Sequence, residues 1–360
     1  MRSHTRRAVL ERVGAAFVGA LGLPSLVRGE RLRWTTVPTV VGRDGVRARR
    51  SVPVDWLEHE RAADRLVSAL AARDGVLRVT RRNATATVAD WHTPKLVAEV
   101  DPRTTAPPDH DTGATVPVET HEVRVRDDAG VVPDVTAGAD CYGDAADLYA
   151  GEAVGVQTAA GDPLGTVSLG WKVTDAPGTE RAITCAHQFD TEAQCELAPG
   201  APRPVLRRRG ETVGEVVATD PDQDLSVVDL GVADRTMRTD VPNSGTMGGV
   251  ETNWGVHALR ALDEDVVKST WRTCFTTGTI TAVEQRASGC LLNRYTGDDR
   301  IRCSMPLDAG ESGGPIYHEY SDDGRTRCAF VGLVSMSHAV GSVTASAGYR
   351  IAAENGLTFA

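Results

Sequence analysis

Between Asp55 and Arg73 the apolar residues Leu57, Ala63, Leu66 and Leu70 recur at helical spacing. That period gathers them on one face and predicts an amphipathic helix, with Asp55 as its cap and Gly75 as its stop. Four strand-like runs follow, at Val76–Thr80, Thr85–Ala89, Leu96–Val100 and Val116–Arg126. The Pro- and Asp-rich stretch Thr104–Gly113 reads as a loop between the last two. Residues 50–127 therefore read as a small α+β module, and an Asp/Gly/Ala-rich stretch continues to about residue 150.

From there to residue 360 the pattern changes. Short β-branched or aliphatic runs appear at Val154–Thr158, Thr166–Thr174, Ala182–Cys185, Thr212–Ala218, Leu225–Leu230, Thr277–Val283, Pro315–Tyr317 and Phe330–Met336. Gly, Pro and Asp punctuate them, and no long helical period is visible. Many short strands separated by turn signals predict an all-β barrel or sandwich over 150–360.

Charge narrows the function classes. The formal net charge is −10, which argues against a nucleic-acid partner, since that would need a basic face. Only three of the 39 basic residues, Lys95, Lys172 and Lys268, are lysines. No internal window is long and apolar enough to span a membrane. The first 34 residues are the exception to the acidic balance, with seven arginines and two glutamates. Arg6-Arg7 precedes a mildly apolar stretch from Val13 to Val27, the pattern of an export signal of the twin-arginine kind. The expectation is an exported chain, extracellular or in the cell envelope, with no membrane span once mature.

Seven cysteines leave at least one unpaired within the chain, and the absence of any Cys-x-x-Cys argues against a zinc or dithiol centre. Cys290 and Cys303 flank a hairpin-like stretch and form the candidate pair. Asn83-Ala84-Thr85 fits a glycosylation acceptor.

Candidate chemistry centres on Ser312, in Gly310-Glu311-Ser312-Gly313-Gly314-Pro315. A serine hydroxyl attacks a carbonyl only when a base takes its proton and donors stabilise the oxyanion. Flanking glycines permit a sharp turn that exposes the hydroxyl, although an ordinary Gly-rich turn has the same composition. The string also satisfies Gly-x-Ser-x-Gly, but the nucleophile elbow of that pattern needs its acid and histidine downstream. Only His318 and His338 follow, without alternating strands and helices, so that reading is rejected. His187 ends the strand-like Arg181–Ala186 and is a candidate base. Asp224 opens Asp224-Leu225-Ser226-Val227-Val228 and is a candidate for orienting the imidazole. Asp222 and Asp229 are weaker alternatives, one in a loop with Pro221 and the other late in the strand.

The order His187, Asp224, Ser312 resembles the chymotrypsin/trypsin-like serine protease family. Thr184-Cys185-Ala186-His187 is similar to its Thr-Ala-Ala-His, Asp224-Leu225-Ser226-Val227 to its Asp-(Ile/Leu)-Ala-Leu, and Gly310–Pro315 to its Gly-Asp-Ser-Gly-Gly-Pro. Val331–Ser335 resembles the strand after the nucleophile, and Thr276–Ile280 a hairpin of bacterial members. The resemblance covers about residues 150–355. It implies two six-stranded antiparallel β-barrels, a His187–Asp224–Ser312 triad, and an oxyanion hole from the N–H groups of Gly310 and Ser312. It also implies acyl transfer on a polypeptide substrate, with no cofactor and no metal. Pro306 falls where the family has the base of its primary pocket, and Ser335, Met336 and Ser337 fall along the pocket wall. An uncharged Pro306 and a narrowed entrance predict small or medium apolar side chains before the scissile bond.

Three departures qualify the resemblance. Glu311 stands where the family has Asp, Gln188 stands where a cysteine commonly follows the histidine, and no Arg-(Ile/Val)-Val-Gly-Gly start lies about 40 residues before His187. Activation by a freshly cut N-terminus is therefore not expected, and Cys185 is expected to be a small buried residue. A serine esterase on the same fold, or a catalytically weak binding protein, are the competing functions. The N-terminal module reads either as a pro-region or as a retained accessory domain.

Overall fold

The computed structural model describes residues 32–73, 75–100, 116–122, 141–142, 147–189, 203–286, 299–339 and 341–359. Among these the protein is mostly β, in one sheet of eight strands and one of twelve. The eight-stranded sheet is built from residues 153–229 and closed at one edge by Thr358–Phe359. The twelve-stranded sheet holds the remaining strands of the C-terminal part. Five N-terminal strands, Trp34–Gly42, Gly45–Pro53, Val76–Val88, Trp91–Val100 and Val118–Glu122, are hydrogen-bonded into it beside seven from the C-terminal part. Cys290 lies outside the described residues, while Cys303 is buried and free. Among the described residues, a disulfide joins Cys141 to Cys274.

Helix α1 spans Val54–Ala71, close to the predicted segment. Its cap is Pro53 without a side-chain hydrogen bond, and Asp55 lies inside the first turn, where its charge favours the helix dipole. The helix ends at Ala72, whose N–H reaches Ser68 O, three residues before Gly75. Ala63, Val67 and Leu70 on its inner face pack on Val79 and Leu96. Trp56 and Leu57 pack instead on Ala258 and Ala261 of helix α2, Asn253–Ala261. A third helix, α3, spans Gly348–Asn355. Both short C-terminal helices were invisible to a search for long periods.

The largest core brings the two sheets together. Trp171 meets Phe330 at 5.4 Å between ring centroids, and Phe330 stacks on Phe359 at 5.0 Å. Because each sheet alone has one apolar face, burying both against a shared aromatic layer stabilises the pair together.

Polar burial ties in the N-terminal segment. Glu60, on the inner face of α1, is fully buried and accepts from Arg260 Nη2 at 2.5 Å and from Arg81 Nη1 at 3.1 Å. Arg81 also reaches Asp64 at 2.5 Å and donates to His257 Nε2 at 2.7 Å. Burial, then Arg81 and Arg260, hold the His257 pKa well below that of a free imidazole, so its Nε2 is the acceptor. Backbone pairing continues the connection, with Arg81 opposite Val283 and Val40 opposite Glu251. The segment read as a separate module thus shares a sheet, a core and an ion network with the C-terminal part. Asn83, of the glycosylation-like triplet, spends its amide on Arg260 O at 2.8 Å.

Removing one partner from a buried ion network leaves the others uncompensated, at about 3–5 kcal/mol. Glu60→Gln is expected to destabilise the whole chain by about that amount in urea unfolding, with one shared transition for N- and C-terminal probes. A loss below about 1 kcal/mol, or two separate transitions, would contradict the shared core.

Candidate active site

Strand register brings the acid to the base. Glu180–Cys185 and Leu225–Asp229 are antiparallel partners in the eight-stranded sheet, with Leu225 opposite Cys185 and Ser226 opposite Thr184. One further step of that register sets Asp224 opposite Ala186, beside His187. Asp224 itself has φ 49°, a left-handed conformation that Asp tolerates better than most L residues. Its Oδ1 accepts the N–H groups of Ala186 and His187, both at 2.9 Å. His187 Nδ1 lies 2.9 Å from Oδ2 and 3.1 Å from Oδ1. Asp224 is fully buried, whereas the His187 side chain keeps 22% of its surface exposed.

This geometry settles the tautomer. A neutral His187 donates through Nδ1–H to the carboxylate and keeps Nε2 as a proton acceptor. Burial alone would lower its pKa, but the charge and hydrogen bond of Asp224 together with Cys185 outweigh it and raise the pKa well above 6.5. Burial would conversely raise the Asp224 pKa; His187 first, then Arg300 and Ser335, bring it below the ordinary value.

Ser312 comes from the other sheet. Pro315–Asp322 pairs with Arg325–Ala339, Pro315 lying opposite Leu333. The pairing continues through Gly313 N to Val334 O at 2.7 Å and Val334 N to Gly314 O at 2.9 Å. Ser312 therefore emerges beside Ser335, and its Oγ donates to the Ser335 carbonyl at 3.0 Å. The Ser335 hydroxyl donates to Asp224 Oδ2. One residue thus touches both the acid and the candidate nucleophile. Ser335 is 2% exposed, so its side chain serves Asp224.

Gly313 has φ 89°, and a Cβ there would meet Ser168 O at 2.5 Å and the Thr184 hydroxyl. Only glycine lets the loop press this closely onto the eight-stranded sheet. Ser168 N donates to Ser312 O at 2.9 Å across the same contact. Gly310 also has positive φ, 84°. Among the hydrogen bonds between described residues, none uses the N–H of Gly310 or Ser312. Pro306 is exposed, and its carbonyl accepts from Lys268 at 2.5 Å. The side chains of Met336 and Ser337 lie outside the described residues.

Several supporting residues escaped the reading of the sequence. Glu311 is fully buried, and its Oε2 accepts Lys268 Nζ at 2.6 Å and Asp308 N at 3.0 Å. Its Oε1 accepts the Thr270 hydroxyl at 2.7 Å and Thr273 N at 2.5 Å. Trp271 Nε1 donates to Gly310 O at 2.9 Å. Burial would raise the Glu311 pKa, but the Lys268 charge and these donors outweigh it and lower the pKa below 4.5. Behind Asp224, buried Arg300 donates to Asp222 O at 3.0 Å and to Ser346 Oγ, which in turn donates to Gln223 O. The one available signal was Lys268, a rare lysine inside the apolar run Val266-Val267-Lys268.

Fold and site together define a two-sheet β protein in which a buried carboxylate orients an imidazole from one sheet, while Ser335 links the same carboxylate to a glycine-framed hydroxyl on the other. Residues 170–322 match the family model of the trypsin-like peptidase domain, and in this part the chain resembles the trypsin/chymotrypsin-like proteases. Three solved structures are similar to the chain. A protease from Nocardiopsis (NAPase) is 18% identical, over 59% of this chain and 99% of its own, with a TM-score of 0.40. A chymotrypsin from Cellulomonas bogoriensis is 20% identical, over 59% and 98%, with a TM-score of 0.37. The active form of the Rv3671c protease from M. tuberculosis is 14% identical, over 66% and 95%, with a TM-score of 0.31. No curated relative matches.

Lys268→Met would strand the Glu311 carboxylate in the interior, and a loss of about 3–5 kcal/mol is expected in denaturant unfolding at neutral pH. The sign of the pH dependence follows from the lowered Glu311 pKa. Its contribution is present above the unfolded value near 4.5 and is lost as pH falls through the folded pKa. The penalty of Lys268→Met should therefore shrink on acidification. A penalty that does not vary with pH would contradict the pairing.

Proposed function

We propose that the chain is a serine endopeptidase in which His187, Asp224 and Ser312 act as a catalytic triad. The observation that carries this reading is Ser335, whose hydroxyl donates to Asp224 and whose carbonyl accepts from Ser312. His187 Nε2 takes the Ser312 proton as Oγ attacks the peptide carbonyl carbon. The resulting oxyanion accepts from the N–H groups of Gly310 and Ser312, preorganised donors that gain strength where water is excluded. The imidazolium, stabilised by ionised Asp224, then protonates the leaving amine and leaves an acyl group on Ser312. Water, deprotonated by His187, completes hydrolysis and restores both groups.

A base must be unprotonated to act. Because Asp224 raises the His187 pKa, the acid limb of kcat/KM is expected to lie above the ~6.5 of a free imidazole. Ser312→Ala should abolish peptide hydrolysis and fluorophosphonate labelling without loss of fold. Asp224→Asn should lower kcat about ten-thousand-fold, through loss of the correct tautomer. Asp222→Asn should change little, since Asp222 is exposed. Full activity in Ser312→Ala, or Asp222→Asn as the more damaging change, would refute the assignment.

Export is the second part of the proposal, and rests on Arg6-Arg7 ahead of a mildly apolar stretch. Replacing both arginines by lysine should retain the chain in the cytoplasm. Unchanged secretion of that variant would exclude the twin-arginine route.

A further inference from the structure

We propose that the Cys141–Cys274 disulfide is a redox latch on the loop that carries Ser312. This rests on the hydrolase reading of that loop. The disulfide ends the turn from Thr270 to Cys274, and that turn holds the nucleophile loop by three hydrogen bonds. The Thr270 hydroxyl and the Thr273 N–H both meet Glu311 Oε1, and the Trp271 indole N–H meets Gly310 O. Gly310 and Ser312, the two residues assigned to the oxyanion hole, flank Glu311 directly. A shift of the turn therefore moves both N–H donors and the nucleophile together.

The turn needs holding. Cys274 has φ 56°, in the left-handed region that L side chains other than Asn and Asp seldom adopt. Such a conformation persists only where the surroundings impose it. Here the crosslink arrives from a segment 133 residues away in sequence, and that segment docks beside the turn. Cys141 Sγ lies 3.3 Å from Trp271 O. The Tyr142 hydroxyl meets Ser269 Oγ at 2.5 Å, and its ring packs on Phe275 at 6.1 Å between centroids. Residues on both sides of the turn are thus pinned by one dipeptide.

Both cysteines are part-exposed, so a small dithiol reaches the bond. One reductant thiolate attacks a sulfur of the disulfide, forming a mixed disulfide and releasing the other cysteine as a thiol. The second reductant sulfur then displaces the first cysteine. Two electrons and two protons pass from the dithiol, which leaves as its own disulfide, to Cys141 and Cys274. The free cysteines among the described residues, Cys185, Cys303 and Cys328, are buried and do not compete for the exchange.

The test uses the full chain, produced in an oxidising compartment and treated with dithiothreitol. Mass spectrometry of alkylated peptides verifies that Cys141 and Cys274 are reduced. Two readouts follow: the rate of fluorophosphonate labelling of Ser312, and amide hydrogen exchange in peptides covering 268–275 and 306–314. Reduction should slow labelling about tenfold or more, as small misplacements of reacting groups do. It should speed exchange in those two peptides but not in 225–229, and glutathione disulfide should reverse both effects. Cys141→Ser/Cys274→Ser should behave as the reduced protein and ignore dithiothreitol; if that variant does not fold, the reduced wild-type chain carries the test. Unchanged labelling and exchange with both cysteines reduced would overturn the latch. An oxidised chain that never labels would overturn the hydrolase reading instead, and the exchange data would still decide the latch.

Discussion

A carboxylate withdrawn from water must be met by donors on every side, and Asp224 is the place where this requirement organises the molecule. Two backbone N–H groups, an imidazole and a serine hydroxyl converge on its two oxygens. Those donors come from two chain segments, one on each sheet. The strand ending at Cys185 cannot slip against its partner without uncovering the carboxylate. Nor can the strand carrying Ser335 move away without removing a donor from Oδ2. An uncompensated buried charge costs several kcal/mol, a large share of the net stability of a domain. The arrangement that orients His187 is therefore the same one that keeps the two sheets in register.

Glu311 repeats this logic one residue before Ser312. Where the family it resembles has an Asp, this chain has a longer carboxylate and an internal ammonium from Lys268. The counter-ion is built into the strand Asp265–Thr270, so the nucleophile loop gains its support when that strand forms. The absence of an Arg-(Ile/Val)-Val-Gly-Gly start ahead of His187 fits this internal pairing.

Much of this was legible in the residues. Helix α1 was visible because its apolar period is clean, and most strands of the eight-stranded sheet because turn residues bound them, whereas the short Val205–Arg208 and Thr358–Phe359 were missed. His187, Asp224 and Ser312 stood out through their flanking motifs and order. What escaped has a physical cause in each case. Glu60 did not stand out because a lone charge carries no sign of the partner that waits for it in three dimensions. Arg81 and Arg260 lie 179 residues apart in sequence and meet only through Glu60. The Cys141–Cys274 bond could not be read either, since seven cysteines leave many pairings open and its spacing of 133 residues gives no local cue. Helices α2 and α3, nine and eight residues long, hold too few turns to declare a period.

The N-terminal segment follows the same accounting. Arg260 is fully buried, and its carboxylate partner within hydrogen-bonding reach is Glu60. Arg260 belongs to α2, whose Val256 and Leu259 pack in the core beneath Ile280 and Val334, next to the strand that carries Ser335. Taking away α1 would leave that guanidinium without its counter-charge and expose Ala258 and Ala261, which Trp56 and Leu57 now cover. Taking away the strand Val76–Val88 as well would strip the edge of its partner Cys274–Arg286. A segment that could leave at little cost would meet the catalytic part through a polar, water-rich surface. This one meets it through main-chain pairing, apolar burial and a carboxylate that two arginines require, so its removal would uncover apolar surface and leave a buried charge uncompensated.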